Sequence, residues 1–274
     1  MPVLPPRWRL VLLVLLLVSL PIAAGVLWLI LTGAFDRVHG LVPVKPPDPR
    51  NWRFLWEEIG GRPPARVPLV NSLIFAGVVA AVELTVCSMA AYAISRMSFP
   101  GRRVYLGLIL VLHAFPAVSL IIAIFYILRL LRLFDTLTGV ILVKASLELP
   151  LGIWLMKGFF DNLSWDMEMA ALVDGMSRWT LFWRIAVPLV RPGLLALGTF
   201  ALLSAWGEFI LPFTLIVSGQ SWTMAIYLQT FLGEAFTDYG MVAAVGLFYA
   251  VPVMALFLLG QRYLLNIYGG GVKG

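Results

Sequence analysis

Charge is what this 274-residue chain has least of: 12% of its residues are Asp, Glu, Lys or Arg, against 61% hydrophobic. With a mean hydropathy of +0.94, that excludes an ordinary soluble domain and points to an integral membrane protein. Cysteine is nearly absent. Cys87 stands alone inside an apolar run, so no intrachain disulfide forms. The two histidines, His39 and His113, lie far apart without companion ligands, which argues against a metal site. No Gly-x-x-x-x-Gly-Lys-Ser/Thr phosphate loop occurs anywhere, so the chain does not hydrolyse ATP by itself. The few charges are basic in excess, giving a net charge of +6. They are scattered singly at the edges of apolar runs, where anionic headgroups and topology explain them better than nucleic acid does.

What is there is a succession of apolar runs of about the 20 residues that span a bilayer as a helix. They cover 10–31, 69–94, 104–128, 137–156, 193–217 and 241–259. The predicted fold is therefore an all-α integral membrane protein with six transmembrane helices. Residues 1–66 form an anchor helix and an external loop, and 67–274 form the transmembrane domain. A cleaved signal peptide is the competing reading of the first run, but Ala23-Ala24-Gly25 is a poor cleavage site and the run exceeds the usual ~7–15 apolar residues. The first outer loop carries Pro43, Pro46, Pro47, Pro49, Pro63 and Pro64, with a short helix expected over 52–59. Counting Lys and Arg with both termini inside gives a weak inward bias, led by Arg96, Arg102 and Arg103 in the tight turn 95–103.

One polar-flanked break, 161–192, divides the second half of the chain. Ser164 is placed to cap a helix whose first turn holds Asp166 and Glu168, where carboxylates suit the positive helix end. Gly175 stops that helix by taking the left-handed conformation cheaply, and Ser177 caps a second helix running to Pro188. On the first helix Met167, Ala170, Ala171 and Asp174 share one face, and the alanines leave a shallow surface that a partner can approach. Two readings stand on these residues alone: a docking element, or an interfacial loop on lipid headgroups anchored by Trp165, Trp179 and Trp183.

The spacing of Ala170-Ala171, Gly175, Ile185 and Pro188 resembles the EAA loop of permease subunits in ABC importers. That resemblance implies a cytoplasmic two-helix coupling loop seated in a cleft of an ATPase, with Glu168, Met169, Ala170, Ala171, Asp174, Gly175, Ile185 and Pro188 as coupling residues. Met169 stands where the family has glutamate. Glu168, one position earlier, is about 100° away around the helix and does not replace it, so docking is expected to rest on shape and apolar contact. Further matches are similar to the maltose-type branch: Asn71-Ser72-Leu73, Ala90-Ala91-Tyr92-Ala93, Phe99-Pro100-Gly101-Arg102, Phe115-Pro116, Phe134-Asp135-Thr136, Leu149-Pro150 and Gly158-Phe159-Phe160. The ending Gly269-Gly270-Gly271-Val272-Lys273-Gly274 resembles it too, whereas Gly207 replaces the asparagine usual after Trp206.

The resemblance implies the smaller permease subunit of a carbohydrate importer in a prokaryotic cytoplasmic membrane, both termini cytoplasmic. Its implied partners are a cytoplasmic ABC ATPase dimer, a second homologous permease, an extracytoplasmic solute-binding protein and membrane lipid. No nucleic acid is implied, and no cofactor or metal in this chain; ATP and Mg belong to the ATPase. Trp222, Tyr227 and Gln229, in the outer loop 218–240 with Glu234, are the candidate contacts to the binding protein.

Glu83, Lys144, Glu148 and Glu208 fall inside spans, where an unpaired charge costs about 2.5–3.5 kcal/mol or more. Lys144 and Glu148, four apart, are expected to pair directly. Glu208 follows Trp206-Gly207 and precedes Pro212, where the helix is expected to open toward a cavity. Trp206, Glu208 and His113 are thus candidates for a translocation pathway, against a packing hydrogen bond for Glu208 and a neutral, helix-bonded imidazole for His113. Gly193, Gly198 and Gly246 permit close contacts with a second permease. Other readings are an ABC permease for a polyamine or glycerol phosphate, an ion-coupled secondary transporter, and a membrane enzyme built on the dispersed acids and His113.

Overall fold

Apolar runs without water to satisfy their backbone have to bond internally, and the chain does so as helices almost throughout. The computed structural model describes residues 6–35, 49–232 and 238–269. Pro43, Pro46, Pro47, His39, Glu234 and the tail from Gly270 lie outside the described residues. Among those described there is no strand, only one isolated bridge between Ile59 and Arg62.

The helices are α1 (Pro6–Ala34), α2 (Arg66–Arg96), α3 (Arg102–His113), α4 (Ala117–Leu130), α5 (Leu137–Asp161), α6 (Trp165–Val173), α7 (Arg178–Leu181), α8 (Val187–Leu189), α9 (Arg191–Trp206), α10 (Ile210–Leu215), α11 (Met224–Leu232) and α12 (Tyr239–Gly269). Among the described residues α2 and α5 are long and apolar enough to cross a membrane unbroken. Two further spans arise if each bent pair is counted as one, α3 with α4 and Arg178–Leu189 with α9.

The chain falls into two compact units, Met1–Ala65 with Leu228–Val251, and Arg66–Tyr227 with Pro252–Gly274. In the first, α1 presents an apolar surface, Leu13 to Leu20 being more than half exposed at most positions. Asn51 donates to the Gly33 carbonyl at 3.2 Å, and Phe54 packs edge-on against Phe248. Arg62 donates to the Thr230 hydroxyl and carbonyl and lies 4.4 Å over the Phe231 ring. The short helix expected over 52–59 is a 3-10 turn at Pro49–Leu55. Beyond it Gly60 and Gly61, both at positive φ, reverse the chain between the bridged Ile59 and Arg62.

In the second unit α2 and α5 lie side by side with α9 against α2. Small residues make this possible: a Cβ on Gly152 would meet Cys87 Sγ at 2.6 Å, and one on Gly193 would meet the Phe159 ring. Gly198 likewise faces Leu84. Gly193 and Gly198, expected to serve a second permease, are therefore used within the chain. The core of this unit joins Cys87, Ala91, Tyr92, Met156, Phe160, Leu181, Phe182 and Leu197.

Two expected spans are broken. The third is interrupted at Ala114–Pro116, with α3 and α4 bent by 97°. Pro116 lacks the N–H that would continue α3 and holds the N-cap of α4 in an extended conformation. The fifth opens at Gly207–Phe209 between α9 and α10, as the sequence around Glu208 predicts.

Candidate functional site

The coupling-loop geometry begins with a glycine. Gly175 has φ +85°, and the end of α6 closes with bonds from Gly175 N–H to Leu172 O at 3.1 Å and Met176 N–H to Ala171 O at 3.1 Å. This is the Schellman pattern, which satisfies carbonyls that the helix end would leave orphaned. Ser177 then caps α7, accepting from Thr180 N–H at 3.2 Å. Ser164 occupies the N-cap position of α6, but its side chain makes no capping bond. The second helix runs on from Arg178 to Leu189 through a π turn at Phe182–Ala186, in which Val187 N–H bonds to Phe182 O. That wider turn precedes Pro188, whose ring would crowd the carbonyl four residues back in a regular helix.

Between the two helices lies an open groove of about 720 Å³. Met167, Ala170, Ala171 and Asp174 line one side of it, the face read from helical spacing. Gly175, Met176, Ser177, Thr180, Arg184 and Ile185 complete it. Its lining mixes apolar Met167, Ala170, Ala171, Met176 and Ile185 with polar Asp174, Ser177, Thr180 and Arg184. Met169 and Pro188 are half-buried and do not line it.

Glu168 is placed differently from the other coupling candidates. It is buried and turned into the protein, its Oε1 2.7 Å from Arg96 Nε at the end of α2. Tyr92 donates its hydroxyl to Glu168 Oε2 at 3.2 Å. Arg96 also donates through Nη2 to the carbonyls of Phe160 at 2.8 Å and Leu163 at 3.1 Å. Sequence reasoning missed this pairing. Arg96 stands in the basic turn and Tyr92 in Ala90-Ala91-Tyr92-Ala93, but nothing local in the sequence joins positions 72 residues apart.

A second polar site lies between α5 and the α9–α10 break. Lys144 Nζ is 2.7 Å from Glu148 Oε1, 2.7 Å from Glu208 Oε2 and 3.1 Å from Ser204 Oγ. The Lys144–Glu148 pair is thus present, and Glu208 adds a partner that spacing did not reveal. Glu208 also accepts from Leu211 N–H at 3.2 Å, bonding a backbone donor in the first turn of α10. His113, Phe115, Pro116, Lys144, Glu148 and Glu208 share a cavity of about 280 Å³. Of the pathway candidates, His113 and Glu208 come together there. Trp206 is buried in the packing and does not line it.

The outer-loop candidates separate. Tyr227 is fully buried, Trp222 half-buried and Gln229 exposed. Asn71 on α2 holds the start of this loop, donating to the carbonyls of Gln220 at 2.7 Å and Trp222 at 2.9 Å. Ser72 Oγ accepts from Met224 N–H at 2.7 Å, which explains why polar residues open an otherwise apolar span.

Comparison with known proteins places this geometry. The model of the family described as binding-protein-dependent transport system inner membrane component matches residues 84–265. The chain is 32% identical over 209 residues to the trehalose transport system permease protein of Mycobacterium tuberculosis, covering 75% of this chain and 76% of that relative. It is 31% identical over 218 residues to the maltose/maltodextrin transport system permease protein of Salmonella typhimurium, covering 77% and 73%. With the diacetylchitobiose uptake system permease protein of Streptomyces coelicolor the identity is 29% over 259 residues, covering 90% and 83%. A crystal structure of a bacterial ABC transporter involved in the import of the acidic polysaccharide alginate shares the fold, with a TM-score of 0.79 over 96% of this chain and 99% of that one at 22% identity.

Proposed function

The chain belongs to the family of binding-protein-dependent transport system inner membrane components, and from that membership we propose that it is a permease subunit of an ATP-driven sugar importer. The observation that carries the proposal is the groove at the α6–α7 turn, set on the polar loop between two membrane helices. Small residues Ala170, Ala171 and Gly175 beside polar Asp174, Ser177, Thr180 and Arg184 suit a rigid helical foot that seats in a partner. That partner is a cytoplasmic ABC ATPase, which holds ATP and Mg and supplies the work by closing and opening. The loop passes the motion to the spans, which alternate between outward and inward openings by rigid-body rotation.

Six spans, with both termini and the 161–192 loop in the cytoplasm, form half of a pathway completed by a second homologous permease. The cavity holding His113, Glu148 and Glu208 faces that pathway. Trp222 and Gln229 face an extracytoplasmic solute-binding protein; a solved complex of the alginate transporter with its pentasaccharide-bound periplasmic protein shares this fold at a TM-score of 0.69. Sugar is the favoured solute class because trehalose, maltose and diacetylchitobiose name the substrates of relatives along most of their length. The chain itself carries no catalytic group in this reading.

Purification of the chain with its bound partners, reconstituted with a binding protein loaded with trehalose, maltose or diacetylchitobiose, tests the function directly. The expected result is a co-purifying ATPase whose hydrolysis rises with one loaded binding protein. Gly175→Pro tests the foot, because proline holds φ near −65° and cannot adopt the +85° found there. Transport and stimulated hydrolysis should vanish while membrane insertion persists; full transport by this variant refutes the coupling role.

A further inference from the structure

Three helix ends meet on one guanidinium. Arg96 is the last residue of α2, Phe160 and Leu163 bracket the end of α5, and Glu168 sits in the first turn of α6. The Arg96 side chain bonds all three, and its guanidinium carbon lies 5.5 Å from the Trp165 ring centre. Arg96 and Glu168 side chains are only 7% and 4% exposed, so water does not compete for these bonds. The arrangement also suits the helix dipoles: a cation caps the carbonyl ends of α2 and α5, and an anion sits at the amide end of α6. Tyr92 seals the pair, its ring packed edge-on against Phe160 and tilted against Phe182.

Ala171 and Leu172 of α6 pack in the same apolar core as Tyr92 and Phe160. The chain joins α6 to α5 only through the short Asn162-Leu163-Ser164 link, however, and non-directional packing resists a pivoting force on the groove face less than fixed polar bonds do. The node closes that hinge and connects α6 to α2, a helix with which it shares no sequence neighbour.

We propose that Arg96 and Glu168, seated by Tyr92, are positioning residues that make α6 rigid with α2 and α5, so that movement of the foot is delivered to two membrane helices together. The proposal rests on the coupling reading above and assigns Glu168 an internal task in place of contact with the ATPase. Glu168 and Met169 then divide the labour of adjacent positions: Glu168 holds the foot to the membrane helices, and the half-buried Met169 takes no part in the node.

The test uses the reconstituted complex, with whichever of trehalose, maltose and diacetylchitobiose the wild-type complex imports. Arg96→Lys keeps the charge but loses the fork that reaches two helices, and Tyr92→Phe removes one hydrogen bond only. Paired Arg96→Met and Glu168→Met replace the ion pair by apolar packing of similar volume, which preserves folding where a single change leaves a buried charge. Sugar moved per ATP hydrolysed should fall about tenfold in Arg96→Lys and in the paired variant, within the usual span of site-to-site coupling. It should fall less in Tyr92→Phe, while the ATPase stays bound in all three. A paired variant that folds, binds ATPase and couples like wild type overturns the proposal. Loss of ATPase binding in these variants overturns it too, since Glu168 would then act in docking. Failure of the wild-type complex to couple at all would instead sink the functional reading beneath it.

Discussion

Gly152 shows how much one missing side chain decides. A methyl group there would meet Cys87 Sγ on α2 at 2.6 Å and Leu197 Cδ1 on α9 at 3.3 Å. Gly152→Ala therefore overpacks a buried seam and is expected to destabilise by about 1–3 kcal/mol. Cys87→Ala in the same chain removes the obstructing sulfur and leaves the Cβ at an ordinary distance, 3.5 Å, so the double variant should recover most of that loss. Thermal unfolding of the four proteins in detergent reads the cycle, and additive losses would show that the seam yields elsewhere. In the sequence Cys87 is a lone cysteine inside an apolar run, with no sign of what it faces, because the facing glycine lies on another helix. Gly175 is the opposite case. Its role is local, a positive φ at a helix end, and it was legible from spacing alone.

Elements are joined here by side chains that reach into a neighbouring turn. Asp135, at φ 60°, accepts from Val217 N–H at 2.7 Å and Ser218 N–H at 2.8 Å, and its own N–H donates to Leu215 O at 3.1 Å. It thereby pins the α4–α5 turn to the end of α10. Asp135→Ala loses both charge-assisted bonds to Oδ1 and keeps a strained φ, for an expected loss of about 2–4 kcal/mol. Asp135→Gly relieves the strain yet loses the same bonds, so it should fall between wild type and alanine; chemical denaturation in detergent micelles ranks them. Equal stability of all three would mean that the turn does not hold α10. The motif Phe134-Asp135-Thr136 was visible in the sequence, but its reason was not, since the bonded amides lie more than 80 positions away. The bend at Pro116 and the π turn before Pro188 share this limit. A proline announces a break in the backbone, while its angle depends on what the two halves pack against.

Across the whole molecule, hydropathy sufficed for the all-helical class and for the position of the polar loop, because an apolar run in lipid has few structures open to it. The pairing of charges inside the spans did not follow from the same pattern. Lys144 was expected to pair with Glu148 and does so, but it is also the partner of Glu208 on the other side of a helix break. Three elements, α5, α9 and the start of α10, consequently share one amine, with Ser204 bonded to both Lys144 and Glu148. Glu83, buried on α2, is hydrogen-bonded to Glu148 and interacts with the same amine. Lys144→Met therefore leaves three neighbouring carboxyl groups without a cation and should destabilise by about 3–5 kcal/mol, the usual result of stranding buried charge. Adding Glu148→Gln and Glu208→Gln removes the repulsion between these two and from Glu148 toward Glu83, and the amide introduced by Glu148→Gln still bonds the Glu83 carboxyl, so the triple variant should regain most of the thermal stability. Transport separates the two roles the cluster serves. If it only braces the break, the triple variant imports sugar normally; if the cavity that its carboxylates line with His113 is also the route, as proposed above, import falls although folding is restored. Unchanged melting of the single Lys144→Met variant would show that the network is not what holds α10 to α5.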